Sequence, residues 1–161
     1  MAEIPKIYLE TTMFNFPFAD DSPQYQADTL RLFEEIRAGK FQPFTSFYVM
    51  QELEDATDSL REDRIQLIKR YNVEVIPAND EIARLANLYI NEGVLSKKNV
   101  TDALHIATTT FAGLDFIVSL NFRHIVKRKT KIGTDSINTR EGFGRIFIYT
   151  PVEVIENVEE F

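Results

Sequence analysis

Apolar and polar positions fall along the chain in two kinds of block. Short apolar runs predict strands: KIYL at Lys6–Leu9, Phe41–Thr45, VEVI at Val73–Ile76, FIVSL at Phe116–Leu120 and RIFIY within Gly144–Tyr149. Longer stretches with apolar residues three and four apart predict helices. Gln24–Ala38 carries Ala27, Leu30, Phe33 and Ile36 on that repeat and is stopped by Gly39. Phe47–Leu60 and Arg64–Tyr71 follow the same rule. Asp80–Asn91 does so through Ile82, Leu85, Ala86, Tyr89 and Ile90, with Gly93 beyond it. Asp102–Phe111 is markedly apolar and ends before Gly113, and Pro151–Glu156 reads as a closing turn of helix. Lys127–Gly144, which contains KRKTKIGTDS, reads as one long irregular stretch.

The resulting order, β-α-β-α-β-α-α-β-(α)-β, indicates an α/β fold with a central, mostly parallel sheet of four to five strands. FIVSL is nearly all apolar, as suits a strand covered on both faces. With 161 residues, no repeat and no linker, the expectation is a single domain over residues 1–161.

Composition narrows the function classes. The apolar share of 44% supplies a sizeable core. No run is long and apolar enough to span a membrane, and MAEIPKIYLE lacks the basic-then-apolar pattern of a signal peptide. The absence of cysteine excludes disulfides, thiol catalysis and thiolate metal sites. Together these features favour the cytoplasm. With 25 acids against 18 bases the net charge is −7, which speaks against a protein that holds nucleic acid mainly by neutralising phosphates. It leaves room for a nuclease whose carboxylates hold divalent ions.

In open parallel sheets, sites form outside the carboxyl ends of the strands. Glu10 follows the first strand, Glu52 lies in the helix after the second, and Ser119–Leu120–Asn121 ends the fourth. Asp102 stands at the front of the apolar helix. Taken singly, each acid has an ordinary account: Asp102 as helix capping, Glu52 as exposed helix surface beside Gln51, Glu54 and Asp55, Glu10 as a turn residue. Jointly, three carboxylates on three elements fall on the same predicted side of the sheet. Mg²⁺ and Mn²⁺ take oxygen ligands of this kind, and such ions activate water and stabilise the leaving oxygen of a phosphodiester.

The segments IYLETTMFN, TSFYVMQELEDA and TDALHIATTTFAGLDFIVSLNFRHI resemble the successive motifs of PIN domains, in particular the VapC-like toxins of type II toxin–antitoxin systems. The likeness extends to REGFGRIFIYTPVEVIE and so covers nearly the whole chain. It implies a three-layer α/β/α fold and an Mg²⁺- or Mn²⁺-dependent endoribonuclease. Glu10, Glu52 and Asp102 would be its metal-holding acids, and Asn121 would stand at the fourth acid position. It also implies a homodimer and a small antitoxin that covers the acidic pocket. The chain departs from the commonest pattern twice, with Glu10 where Asp is usual and Asn121 where Asp is frequent. The longer Glu10 shifts the ion, and Asn121 removes a negative charge from the second-ion site. The alternative is therefore a PIN fold with weakened catalysis that serves as an RNA- or partner-binding module.

Weaker signals surround these acids. Thr11 and Thr12 are candidates to orient a water or a phosphate, or form an ordinary polar turn. Ser119 either shares the site or packs in a strand. For His105, a hydrogen-bonded structural histidine is the plainer account, with a general base as the sharper one. His124 adjoins Arg123, which begins the basic run Arg123, Lys127, Arg128, Lys129 and Lys131. That run would either guide RNA to the carboxylates or form a solvated loop. Phe14, Phe16 and Phe18 offer a base-stacking ledge or, more ordinarily, burial against the first helix.

Overall fold

A computed structural model describes residues 3–157. The expected single domain of residues 1–161 therefore runs past the described part at both ends. Five strands form the sheet: β1 (Lys6–Leu9), β2 (Gln42–Ser46), β3 (Glu74–Ile76), β4 (Phe116–Val118) and β5 (Phe147–Tyr149). All four pairings are parallel, and the strand order is β3-β2-β1-β4-β5. The sheet is thus wholly parallel and at the upper end of the expected strand number.

Parallel strands need crossovers, and helices supply them. They are α1 (Thr12–Asn15), α2 (Pro23–Arg37), α3 (Phe47–Asp55), α4 (Arg61–Arg70), α5 (Asp80–Asn91), α6 (Val100–Phe111), α7 (Arg128–Arg140) and α8 (Pro151–Asn157). On one side α5 packs against α6 and α7; on the other α2 packs against α8. The result is the expected three-layer α/β/α arrangement. β1 and β4 are buried between these layers: Ile7, Tyr8, Leu9, Phe116, Ile117 and Val118 are all fully inaccessible. No helix among the described residues is long and apolar enough to cross a membrane.

The chain winds outward from β1 to β3, then returns to the other side of β1 for β4 and β5. The direction reverses between β1 and β4. A crevice opens outside the carboxyl ends of strands at such a reversal, because the two following loops diverge to opposite faces. Glu10 follows β1, and Ser119–Asn121 follows β4.

Three local expectations need correction. The helix expected over Phe47–Leu60 stops at Asp55, where Ala56 turns extended, and a new helix begins at Arg61. Arg64 and Asp58 pair across that break at 2.7 Å. The expected strand end at Leu120 comes earlier, at Val118.

The third correction is larger. Lys127–Gly144 is not irregular, because α7 occupies 13 residues of it. Its buried positions are Thr130, Thr134, Ile137 and Asn138, a helical spacing carried by polar side chains. Asn138 accepts from the Tyr89 hydroxyl at 2.5 Å and donates to Thr110 Oγ1 at 3.0 Å. These bonds, and that from Thr130 Oγ1 to the His124 carbonyl at 2.7 Å, satisfy the polar groups of this face except Thr134 Oγ1, which has no partner among the described residues.

Candidate active site

The backbone brings the four expected residues to one end of the sheet. Glu10 leaves β1 with its N–H still bonded to the Val118 carbonyl at 3.2 Å, so the β1–β4 pairing holds it at the reversal point. Only 3% of the residue is exposed. Its Oε1 accepts from Ser119 Oγ at 2.6 Å and from Thr12 Oγ1 at 2.7 Å. Both hydroxyls are themselves fixed: Ser119 Oγ accepts from the Asn121 N–H and Thr12 Oγ1 from the Leu120 N–H, each at 2.9 Å. Ser119 thus belongs to the site, and Thr12 ties the loop after β1 to the loop after β4.

Glu52 sits in α3, whose start is set by Ser46. As N-cap, Ser46 accepts from the N–H groups of Tyr48 and Val49. Val49 and Leu53 face the core, and Glu52 lies between these faces with its side chain 40% exposed. Its Oε1 accepts from Thr11 Oγ1 at 2.6 Å and from His105 Nε2 at 2.7 Å. The two threonines after Glu10 therefore serve different acids, Thr11 holding Glu52 and Thr12 holding Glu10.

Asp102 lies in the first turn of α6, but the helix starts at Val100 with Asn99 as N-cap. Asp102 is not the N-cap residue, but as an acid in the first turn it keeps its ordinary favourable place at the helix start. Its carboxylate accepts from Asn121 Nδ2 at 3.3 Å, while Asn121 Oδ1 accepts from the His124 N–H at 3.0 Å. Asn121 thus stands beside Asp102. Arg123 is exposed, and Glu54 and Asp55 are exposed at the end of α3.

Sequence reasoning missed the network behind Glu52. His105 is wholly buried, and its Nδ1 lies 2.6 Å from the Tyr8 hydroxyl, which reaches Ser46 Oγ at 2.7 Å. A chain of hydrogen bonds thus runs from the exposed carboxylate through His105 and Tyr8 to the cap of α3. The histidine is buried and hydrogen-bonded, and one of its partners is Glu52. Tyr8, a hydroxyl in the middle of an apolar strand, was the available clue.

Proton affinities follow from these contacts. Burial pushes the Glu10 carboxyl above its ordinary value, and the charge of His105 and two hydroxyl bonds do not offset it. Burial likewise raises Asp102, against smaller opposing effects from His105, His124 and Asn121. Burial would also raise Glu52, but the His105 and Thr11 bonds outweigh it and hold that carboxyl below the usual range. For His105, burial favours the neutral ring; the Glu52 bond and the charges of Glu10, Glu52 and Asp102 prevail and raise its value. No lysine or arginine pairs with any of the three acids among the described residues.

Whether this set fits a divalent ion depends on the coordination asked of it. Among the described residues no group of three acid or histidine side chains is placed to hold a metal by itself. Mg²⁺ is ordinarily held by one or two carboxylates with waters and substrate phosphates completing the shell. Glu10 and Asp102 are hard oxygen donors of that kind, and neither pairs with a lysine or arginine among the described residues. The basic run after Asn121 continues into α7, so it is partly helix rather than loop. Of the phenylalanines, Phe14 is fully buried against Phe33, while Phe16 packs edge-on to Tyr25, which in turn contacts Phe122. A cleft of about 530 Å³ lies between α7 and β5 and is lined by none of Glu10, Glu52 and Asp102. Compared with known proteins, the chain matches no family model and shows no significant similarity to a curated protein.

Proposed function

We propose that this protein is a divalent-metal-dependent endoribonuclease of the PIN type. One observation carries the reading: Glu10, a buried carboxylate with no lysine or arginine partner, sits at the chain reversal of a parallel sheet, at the same end as Asp102, Asn121 and Glu52. A buried charge without a counter-charge is costly, and a site that keeps one is poised for a cation. Glu10 and Asp102 would hold Mg²⁺ or Mn²⁺, with Glu52 reaching in through its Oε2, which forms no hydrogen bond. Such an ion supplies Lewis acidity at a phosphoryl oxygen and makes water a better nucleophile.

The chain's own groups do the remaining work. Ser119 and Thr12 hold Oε1 of Glu10. Thr11 and His105 fix Glu52, and the Asn121 amide orients Asp102. In the proposed reaction a water oxygen bonds to phosphorus, the bond to the leaving ribose oxygen breaks, and a proton passes to that oxygen. The likeness to VapC-like toxins supports placing the protein in a toxin–antitoxin pair, as a homodimer inhibited by a small antitoxin. The cysteine-free composition is in keeping with a cytoplasmic setting.

A second reading, a catalytically weakened PIN fold that binds RNA or a partner, draws on Asn121 and on the engagement of Glu52 with His105. Cleavage of a mixed RNA panel with Mn²⁺, Mg²⁺ or EDTA, alongside Asp102→Asn, separates the two. Metal-dependent cutting that the substitution abolishes supports the nuclease. No cutting, or equal cutting by both, in folded protein free of any inhibitor favours the binding module.

A further inference from the structure

The acids outnumber the bases, yet the bases are unevenly used. Arg61, Arg64, Arg84, Arg140 and Arg145 each meet an acid on the surface. Lys97, Lys98, Lys127 and Lys129, like Arg123, Arg128 and Lys131 of the same basic run, form no ion pair among the described residues. Lys127 and Lys129 line one cleft with Ser96, and Lys97 and Lys98 follow Ser96 directly in the chain. Lys97 and Lys98 belong to the short turn of helix before α6, and Lys127 and Lys129 to the start of α7.

Between those segments lies a cleft of about 200 Å³. Ser96, Asn99, His124, Lys127 and Lys129 line its polar wall, and Val94 and Leu95 its buried apolar floor. Asn99 Nδ2 lies 3.3 Å from His124 Nδ1 and 2.8 Å from Ser96 Oγ, so the neutral polar groups are already ordered. Like charges gathered without a counter-charge repel one another, and an anion in the cleft would relieve that repulsion. Asn99 and Lys127 are also the N-caps of α6 and α7, and neither helix start is capped by a side chain. Two positive helix ends therefore add to the lysines.

The cleft adjoins the acids. The His124 N–H bonds Asn121 Oδ1, and Asn121 Nδ2 bonds Asp102 Oδ1. Arg123, exposed and one residue from His124, continues the positive strip toward Asn121.

We propose that this cleft is a subsite for a backbone phosphate of the RNA, next to the phosphate that is cut; the assignment rests on the ribonuclease reading. The acidic crevice cannot attract a polyanion by itself. A strip of unpaired cations beside it supplies the attraction and leaves the carboxylates free for the ion. A strip longer than the cleft favours a chain of phosphates over a single free anion.

The test is binding of a labelled RNA oligonucleotide by fluorescence anisotropy in EDTA across a range of KCl concentrations. The triple variant Lys97→Ala, Lys127→Ala, Lys129→Ala should bind about tenfold or more weakly at low salt. Its dependence of log K on log salt should be shallower by about 0.7 for each phosphate that the variant no longer neutralises. The three side chains are exposed, so the fold should persist, and circular dichroism checks that. Lys6→Ala, Lys40→Ala at the amino end of the sheet should leave the slope as it is. Asp102→Asn should keep the slope and lose cleavage.

An unchanged affinity and slope in the triple variant, or an equal change in the Lys6 and Lys40 control, overturns the subsite. So does displacement of RNA by inorganic phosphate at low millimolar concentration, which would mark a free-anion site. Wild type that binds RNA with the expected slope but never cuts it removes the nuclease and leaves the subsite. Normal cutting by the triple variant with an unchanged slope does the reverse, and wild type that binds no RNA overturns both.

Discussion

Glu10 and Glu52 are the same side chain at the same end of the sheet, and they differ in almost every physical respect. Glu10 is 3% exposed and accepts two hydroxyl hydrogen bonds. The Glu52 side chain is 40% exposed and accepts from one hydroxyl and one imidazole. Burial opposes ionisation of both. Only Glu52 ends below its ordinary value, because His105 hydrogen-bonds it directly, whereas the same ring acts on Glu10 through charge alone. Two neutral hydroxyls do not compensate a desolvated carboxylate; a cation at hydrogen-bond distance does. His105 is bonded to Glu52 and acts on Glu10 only through space, and the acid without a directly bonded imidazole is the better candidate to meet a metal ion.

Glu10→Gln is the sharpest test of that contrast and should have the largest effect. The amide keeps the shape and can keep Oε1 facing Ser119 and Thr12, but it removes the charge. Metal-dependent RNA cleavage should fall by about 100-fold or more, beyond what loss of an outer-shell partner ordinarily costs. Stability to denaturant at neutral pH should hold or rise, since an uncompensated buried charge has gone. Near-normal cleavage would make Glu10 a structural acid and end the comparison.

His105→Ala attacks the other side. It removes a wholly buried ring, leaves a cavity, and takes a partner from the buried Tyr8 hydroxyl. Urea unfolding should show a loss of about 2–3 kcal/mol. The Glu52 carboxyl, followed by NMR, should then titrate higher and behave more like Glu10. A Glu52 titration that does not move would mean that His105 is not what holds it down.

How far this was legible in the sequence depends on what carried each signal. Strands and apolar helices show in the pattern because burial selects Ile, Val, Leu and Phe at a fixed period. Glu10, Asp102 and Asn121 were reachable because they adjoin those elements. α7 was not legible, since Thr130, Thr134 and Asn138 supply most of its buried face and a hydrophobic pattern does not register them. The Tyr8–His105–Glu52 chain was hidden for another reason: its members come from β1, α6 and α3, and only the folded sheet brings them together. The cleft was half visible, as Lys127 and Lys129 stood out in the basic run while Ser96 and Asn99 came from another segment.

α7 offers a smaller prediction about how firmly the basic strip is held. A Cβ on Gly133 would lie 2.6 Å from Val94 Cγ2 and 3.1 Å from Cγ1. Val94 is β-branched and stiff, and it also forms the floor of the lysine-lined cleft. Gly133→Ala should therefore cost about 1–2 kcal/mol by overpacking, although alanine normally favours a helix. A stabilised variant would show that α7 can shift away from Val94 without penalty.

The smallest effect is the dependence of stability on pH, where Glu10 and the Glu52–His105 pair should oppose each other. Glu10 has a raised value in the folded protein, so folding favours its protonated form. Its contribution is greatest below 4.5, its ordinary value, and is lost as pH rises through the folded value. Glu52 is lowered, so its contribution is present above 4.5 and lost as pH falls through its folded value. His105 is raised, so its contribution is present below 6.5 and lost as pH rises through its folded value. The pair is fully expressed only between pH 4.5 and 6.5, and within that window His105→Ala should be most destabilising relative to wild type. Glu10→Gln should gain on wild type as pH rises above 4.5 and then run parallel to it. Denaturant unfolding of the three proteins across the pH range checks both signs. Parallel curves for wild type and Glu10→Gln throughout would mean that burial does not tax the Glu10 charge, and the case for a cation beside it would lose its physical basis.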